Sequence, residues 1–208
     1  MNDTQQNTRQ RIIEAALPLF AEKGFAGASI RAIARNAGIR ESSLYNHFIS
    51  KNDLFSAILT DTGPGVVSRI VAHILSATSR LDFTAAMTRF SSELSQAWRD
   101  PRHLQLYLIS LREPSVLRET TGEGPAHWVR GAVEALAELL IAYADAGEIS
   151  LPAEAEYLAW LYLAPLSNLK STFGSPEASG KDHLRADALT GQHLDFFVSM
   201  LTRESKVL

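Results

Sequence analysis

Hydrophobic residues recur at helical spacing along most of the chain, beginning near the amino terminus. In the first segment the spacing of three or four residues is kept by Ile12, Ile13, Ala16, Leu17 and Phe20. Gly24 follows as a residue that ends helices. Pro18 lies inside the pattern and predicts a kink, because proline removes one backbone donor.

Three shorter helices are predicted next. Ser29 is placed to cap a second helix that Gly38 ends, and a third helix is expected over about residues 41–47. Ser50 is placed to cap a fourth helix. That helix should stop at TGPG, residues 62–65, where glycine and proline cluster.

The remaining apolar segments are longer and also have helical period. They predict helices over about 66–78, 83–99, 102–111 continuing to 118, 128–146, 154–169 and 184–203. The residues of the last helix expected to point inward are Leu189, Phe196, Phe197, Met200 and Leu201. Strand-like alternation and internal repeats are absent from the pattern, so the predicted fold class is all-α. The run YLAWLYLAPL within 154–169 is apolar on every face, which predicts burial on more than one side.

Two short helices joined by a glycine-containing turn suggest a helix-turn-helix motif. In that motif the second helix enters the DNA major groove. Ile39 and Leu44 are expected to point inward, with Phe48 closing a small core. The side chains then left to face bases or phosphates are Arg40, Glu41, Ser42, Ser43, Tyr45 and Asn46. Backbone anchors are expected at Ser29, His47 and Lys51.

A plainer alternative treats these polar residues as a solvated helical surface. It suits Ser42, Ser43 or Asn46 taken singly better than it suits the whole set beside an inward Leu44. His47 has its own alternative, a packing and hydrogen-bonding role at the edge of the motif.

The span SIRAIARNAGIRESSLYNHFISKNDL, residues 29–54, resembles the DNA-binding segment of TetR/AcrR-type transcriptional regulators. The shared positions are Ser29, Ile33-Ala34, Ala37-Gly38, Leu44-Tyr45, His47-Phe48 and Lys51. The first helix, RIIEAALPLFAEKGF, and the later segment LREPSVLRE also resemble the family. Two positions depart from it: Arg40 stands where a capping Ser or Thr is common, and Ser42 where Gly is common. Arg40 cannot cap a helix and is expected to contact a guanine or a phosphate instead. Glu41 would repel a phosphate, yet it could accept from a cytosine amino group.

The resemblance implies two functional parts. Residues 1–62 would form a three-helix, helix-turn-helix DNA-binding domain, and residues 63–208 a larger helical effector-binding and dimerisation domain. The implied function is a sequence-specific transcriptional regulator, a repressor released from its palindromic operator by a small, largely apolar ligand. The homodimer would form through the helices near 154–169 and 184–203; the alternative is that the first of these is simply a central buried helix.

Candidate ligand contacts come from the aromatic and polar residues of the later helices, because ligand cavities are mostly apolar with a few orienting polar groups. They are Phe90, Trp98, His103, Tyr107, Arg112, His127, Trp128 and Tyr143. Each aromatic residue has the alternative of being part of the core.

Charge is distributed unevenly along the 208 residues. The net charge is −3, but residues 1–53 carry seven basic and five acidic side chains, a balance of +2, and the remainder carries 13 basic and 18 acidic. Cysteine is absent, which excludes disulfides and thiolate chemistry. A signal peptide and a membrane-spanning run are not expected, and the protein is expected to be cytoplasmic.

Two other classes of function remain as alternatives. An enzyme is disfavoured because the sequence has no phosphate-cradling loop, HExxH pair or nucleophile elbow. His183 and Asp187, four residues apart, could contact a metal, although a solvent-facing ion pair is the simpler interpretation, so neither a metal nor a cofactor is expected. An effector-free architectural DNA binder would need more basic charge than +2.

Overall fold

The computed structural model describes residues 3–62, 65–122, 125–173 and 178–202. In chain order the helices are α1 (Asp3–Gly27), α2 (Ile30–Asn36), α3 (Glu41–Leu44), α4 (Lys51–Thr62), α5 (Val66–Leu75), α6 (Phe83–Arg99), α7 (Pro101–Arg112), α8 (Pro114–Thr121), α9 (Pro125–Asp145), α10 (Ala155–Phe173) and α11 (Gly180–Thr202). No strand occurs in these ranges, which confirms the all-α prediction. No helix within them is long and apolar enough to cross a membrane.

The helices group into two compact units that are not continuous in sequence. The first unit contains residues 1–64 and 101–128, and the second contains residues 65–100 and 129–208. Helices α7 and α8 therefore belong with the predicted DNA-binding helices, although they follow them by many residues. The functional division at residue 62 stays a prediction.

The first unit has a core made by α1 to α4 together with α7 and α8. At its centre, the rings of Phe20, Phe25 and Phe55 lie with centroids 5.2–5.7 Å apart. Leu106 from α7 and Leu117 from α8 are buried in the same apolar cluster. Aromatic contacts of this kind add about 0.5–1.5 kcal/mol per pair beyond the burial itself.

The second unit has its own core, in which Tyr162 of α10 is fully buried. The Tyr162 hydroxyl is hydrogen-bonded to the hydroxyl of Ser91, which donates to the Met87 carbonyl at 2.9 Å. His193 Nε2 lies 3.0 Å from the Tyr162 carbonyl oxygen. Burial raises the pKa of Tyr162 to about 12, against the opposing effect of the Ser91 hydrogen bond. The phenol therefore stays neutral in the core.

Several predicted helix boundaries differ from the structure. The helix expected over 102–118 is two helices, because Pro114 begins α8 and the backbone leaves helical geometry at Glu113. Pro18 lies within α1 at helical backbone angles, and the break in α1 falls instead at Gly24, where φ is 70° and ψ is 172°. The third helix is shorter than predicted and ends at Leu44.

Replacing Gly24 with alanine should lower the free energy of unfolding. Backbone at these angles is essentially restricted to glycine and costs other residues on the order of 1–3 kcal/mol. The added Cβ would also lie 2.5 Å from Glu113 Oε1. Chemical denaturation of the two proteins measures the loss.

Gly131→Ala is the matched control. Gly131 lies inside α9, and a Cβ there would have no neighbour within 4 Å, so the change should stabilise by about 0.5–1 kcal/mol. Equal effects of the two substitutions would contradict the strained role of Gly24.

Candidate nucleic-acid interface

The turn between α2 and α3 is set by Gly38, whose φ is 67°. The Gly38 amide donates to the Arg35 carbonyl, and the Ile39 amide donates to the Ala34 carbonyl, which together satisfy the end of α2. Arg11 of α1 adds a hydrogen bond from its guanidinium to the Ala37 carbonyl. The direction in which α3 leaves the turn is therefore fixed by backbone geometry and by α1.

Helix α3 is held to the first unit by Leu44 and Phe48. Leu44 is fully buried and Phe48 is 2% exposed, while Ile39 is half-buried against the same core, so the predicted inward residues are confirmed. The Arg9 guanidinium lies 5.2 Å from the centre of the Phe48 ring. Both apolar anchors lie on one side of the segment, which leaves its other side to solvent.

The predicted base-facing residues lie on that solvent side. Arg40, Glu41, Ser42, Tyr45 and Asn46 are exposed, and Ser43 is half-exposed. Tyr45 has 49% of its surface accessible, which is high for a tyrosine that also adjoins the buried Leu44. Their contact with DNA stays a prediction.

Helix α3 ends after a single turn because the residues that follow it favour hydrogen-bonded turns over α-helix. After Leu44 the amides of Asn46 and His47 donate to carbonyls three residues back, at 3.3 and 2.9 Å, so Tyr45 to His47 form turns rather than α-helix. Ser, Asn and His are weak helix formers, and Phe48 must still reach the core. The predicted extent of 41–47 was therefore too long by one turn.

The two predicted caps were correct, and Arg40 does not cap. Ser29 Oγ accepts from the Ala32 amide at 3.2 Å. Ser50 Oγ accepts from the Asp53 amide at 3.0 Å, while Asp53 accepts from the Ile49 amide at 2.9 Å. Arg40 precedes α3 without a side-chain cap, which leaves its guanidinium for another partner.

Lys51 is engaged within the first unit. Its ammonium lies 4.6 Å from the centre of the Phe25 ring and 3.4 Å from the Ala26 carbonyl oxygen. Partial burial lowers the pKa of Lys51, and the negative charge of Glu113 works in the opposite direction. The ammonium has three donors, so the predicted phosphate contact stays a prediction alongside these internal contacts.

The junction of α7 and α8 clamps the end of α1. Glu113 Oε1 accepts from the Phe25 amide at 3.1 Å, and Arg112 donates to the Ala21 carbonyl at 3.0 Å. A cation at the carboxyl end of a helix and an acceptor for the amide beyond it both satisfy groups that the helix leaves open. The same Glu113 charge acts on Lys51, so one corner of the chain supports both α1 and the start of α4. Sequence reasoning noted LREPSVLRE but did not identify this role.

Two arginines that sequence reasoning missed lie beside the predicted interface. Arg31 and Arg35 of α2, four residues apart, line a groove of about 580 Å³ together with Arg40 and Glu41 at the start of α3. Ser29 also lines it. The spacing of the two arginines on one short helix was the available signal.

Part of the first unit is similar in sequence to known bacterial regulators. The family model of bacterial regulatory proteins of the tetR family matches residues 12–58. The transcriptional regulator UidR of Escherichia coli is 46% identical over 59 residues, which are 28% of this chain and 30% of UidR. This chain carries a TetR-family helix-turn-helix domain.

Similarity beyond that domain is weaker in sequence and broader in structure. The transcriptional repressor KstR2 of Mycolicibacterium smegmatis is 30% identical over 100 residues, or 48% of this chain and 47% of KstR2. A TetR-family transcriptional regulator from Mesorhizobium loti has the same fold over 97% of this chain and all of its own, with a TM-score of 0.72 at 17% identity. The chain therefore matches less than a third of the length of UidR and less than half of that of KstR2.

The predicted ligand contacts fall in both units. Phe90, Trp98 and Tyr143 belong to the second unit, and His103, Tyr107, Arg112 and Trp128 to the first. The side chain of His127 lies outside the described residues. The residues were predicted as one set, and ligand contact stays a prediction for each.

Their immediate surroundings favour packing roles for several of them. Phe90 is fully buried with its ring 6.0 Å from Tyr162, and Tyr143 donates to the Leu81 carbonyl at 2.8 Å. Trp128 packs against the core of the first unit. Arg112 is used in the clamp on α1. The alternative that such residues belong to the core therefore accounts for their positions.

Trp98 has a charged neighbour in the second unit. The Lys170 ammonium lies 5.1 Å from the centre of the Trp98 ring, and burial lowers the pKa of Lys170 to about 8. The pair of His183 and Asp187 shows no sign of a metal role: Asp187 accepts from Arg99 through both oxygens at 2.7 Å. Among the described residues, no cluster of three or more metal-ligating side chains is present.

Lys170 should make the stability of the protein depend on pH. Its pKa is about 8 in the folded protein and 10.5 when unperturbed, so the unfolded chain binds more protons between these values. Stability should therefore rise across that window, by an amount on the order of 3 kcal/mol, and Lys170→Met should remove the rise.

Unfolding free energies measured from pH 7 to above the window would test this. Lys181→Met, at an exposed lysine of α11, is the matched control. Parallel curves for the wild-type and Lys170→Met proteins would show that the burial of this ammonium does not matter.

Proposed function

We propose that this protein is a dimeric, sequence-specific DNA-binding transcriptional repressor whose operator is released when a small, largely apolar ligand binds. The observation that carries the proposal is the geometry of α3 and the turn after it. Leu44 and Phe48 anchor one side in the core, and Arg40, Glu41, Ser42, Tyr45 and Asn46 lie exposed on the other. A recognition helix needs this division, because one side must be rigidly held while the other meets base edges.

The named relatives support the coarser part of the proposal. UidR is a transcriptional regulator and KstR2 is a transcriptional repressor, and each is similar in sequence to part of this chain. The modest basic charge of residues 1–53 is a second support. With a balance of only +2, non-specific attraction to DNA is weak, so the protein depends on specific contacts and on two subunits binding together.

The dimer is supported by apolar surface on the last two helices. Tyr157 and Trp160 of α10 are 53% and 48% exposed, with their rings stacked 6.4 Å apart. Leu184 and Phe196 of α11 are 71% and 66% exposed, although Phe196 was expected to point inward. A second copy of the chain would cover such a surface, and the alternative of a central buried helix leaves the exposed rings unexplained. The two helices also pack on each other, as they would in a four-helix interface.

The ligand response is supported by the composition of the second unit and by the thermodynamic coupling between ligand binding and DNA binding. This unit combines aromatic side chains with buried hydroxyl and ammonium groups, the mixture that small-molecule sites use. A ligand that binds the DNA-incompetent form more tightly would lower operator affinity by its difference in affinity for the two forms.

Tyr45→Ala should weaken binding to a duplex bearing the sequence that the wild-type protein selects from a random pool. The loss should be roughly tenfold or more, since base-reading contacts are each worth about 1–3 kcal/mol. Fluorescence anisotropy measures the affinity. Tyr45→Phe keeps the ring and should lose less than Tyr45→Ala if the ring supplies most of the contact.

An unchanged affinity for Tyr45→Ala, with thermal unfolding also unchanged, would remove Tyr45 from the interface. An equal loss on the selected and a scrambled duplex would assign it to the backbone instead.

Phe196→Glu should convert the dimer to a monomer, because it places a charge on an apolar surface that must be desolvated when the dimer forms. Sedimentation velocity measures the change. Thr88→Glu adds the same charge to an exposed position of α6 and should leave the dimer intact. A Phe196→Glu protein that remains dimeric would place the interface elsewhere.

A further inference from the structure

The groove between α2 and the start of α3 carries more positive charge than the recognition surface itself. Arg31, Arg35 and Arg40 line it, with Glu41 as its one acidic residue, a balance of +2 within a single concavity. All four side chains are exposed to solvent. Three guanidiniums on one groove repel each other, and that repulsion falls when an anion enters.

These arginines are not neutralised by their neighbours. Among the residues that the structure describes, the ion pairs are those of His73, Arg80, Arg89 and Arg99 with nearby carboxylates, and none involves the groove. Elsewhere in the first unit the arginines have internal uses: Arg11 binds the Ala37 carbonyl, and Arg112 the Ala21 carbonyl. Within the described part of the chain, the three groove arginines make no such contact.

The side chains that line the groove suit a phosphodiester. Ile39 and Ser29 contribute an apolar and a hydroxyl surface to a volume of about 580 Å³. The planar guanidinium donates two parallel hydrogen bonds to phosphate oxygens, which makes arginine well suited to phosphate recognition. Glu41 lies in the same groove and disfavours close approach of phosphate on its own side.

We propose that Arg31, Arg35 and Arg40 form a clamp for the DNA backbone that is independent of base sequence. This inference rests on the proposed function and deepens it, since Arg31 and Arg35 were not among the predicted DNA contacts. It also decides the role of Arg40, which contacts phosphate rather than guanine. Glu41 lowers the affinity of the clamp for phosphate by charge repulsion and does not accept a hydrogen bond from a cytosine amino group.

The clamp predicts a specific dependence on salt. Each phosphate contact contributes about 0.9 to the slope of log affinity against log salt concentration, so a dimer on two half-sites loses about 1.8 for each arginine replaced. Arg31→Gln, Arg35→Gln and Arg40→Gln should each lower the slope by that amount. Each should weaken binding to a selected and to a scrambled duplex by the same factor, and Glu41→Gln should strengthen binding to both.

The measurement is fluorescence anisotropy with both duplexes between about 50 and 200 mM salt, on full-length protein whose thermal unfolding matches the wild type. Arg31→Lys and Arg35→Lys keep the charge and should keep the slope. Arg118→Gln, on the exposed surface of α8, removes the same charge from a helix that contributes nothing to the groove. It should change neither slope nor affinity.

The possible failures are distinguishable. If the wild-type protein does not prefer the selected duplex, the proposed sequence-specific function fails, but the slopes on the scrambled duplex still test the clamp. Slopes that stay unchanged in all three glutamine variants overturn the clamp, and so does a loss confined to the selected duplex. Saturable binding of inorganic pyrophosphate at constant ionic strength, lost in Arg35→Gln, would instead assign the groove to a small anion. A wild-type protein that binds neither duplex overturns both proposals.

Discussion

The burial of Leu44 and Phe48 is the constraint on which the rest of the first unit depends. These two side chains lie within a short segment that is otherwise polar, and they fix both its position and its rotation. Because Leu44 and Phe48 occupy one side of the segment, Arg40, Tyr45 and their neighbours are left exposed to solvent. Large-to-small changes at such sites cost about 2–5 kcal/mol, so the anchors are also a substantial part of the stability of the unit.

The same unit is also held together by the junction of α7 and α8, which follows much later in the sequence. Arg112 and Glu113 grip the end of α1, where Phe25 packs on Phe20 and Phe55 and carries the Lys51 ammonium. Gly24 is needed there because its φ of 70° and ψ of 172° are backbone angles that other residues rarely adopt. The end of α1 and the start of α4 therefore depend on the same charged and aromatic contacts. A substitution at Arg112 or Glu113 would disturb both helices.

Local sequence patterns were enough to predict the motif, but they could not predict the long-range contacts. The caps at Ser29 and Ser50 and the inward Leu44 follow from spacing along a few residues. The contacts of Glu113 and Arg112 join residues 88 and 91 positions apart, which no local pattern encodes. Phe196 shows the other limit: periodicity identifies an apolar residue, but it cannot tell whether the residue packs on its own chain or remains on the surface. The spacing of Arg31 and Arg35 can be read from the sequence, but only the fold shows that Arg40 lines the same groove.

We propose that the surface around α3 recognises a particular DNA sequence twice, once per subunit. Selection of bound duplexes from a random pool at near-physiological salt tests it most directly. The account predicts enrichment of a palindrome whose half-sites are about one helical turn or more apart, with binding abolished by that duplex as competitor and not by a scrambled one. Recovery of no enriched sequence, or of a single site without two-fold symmetry, would contradict it.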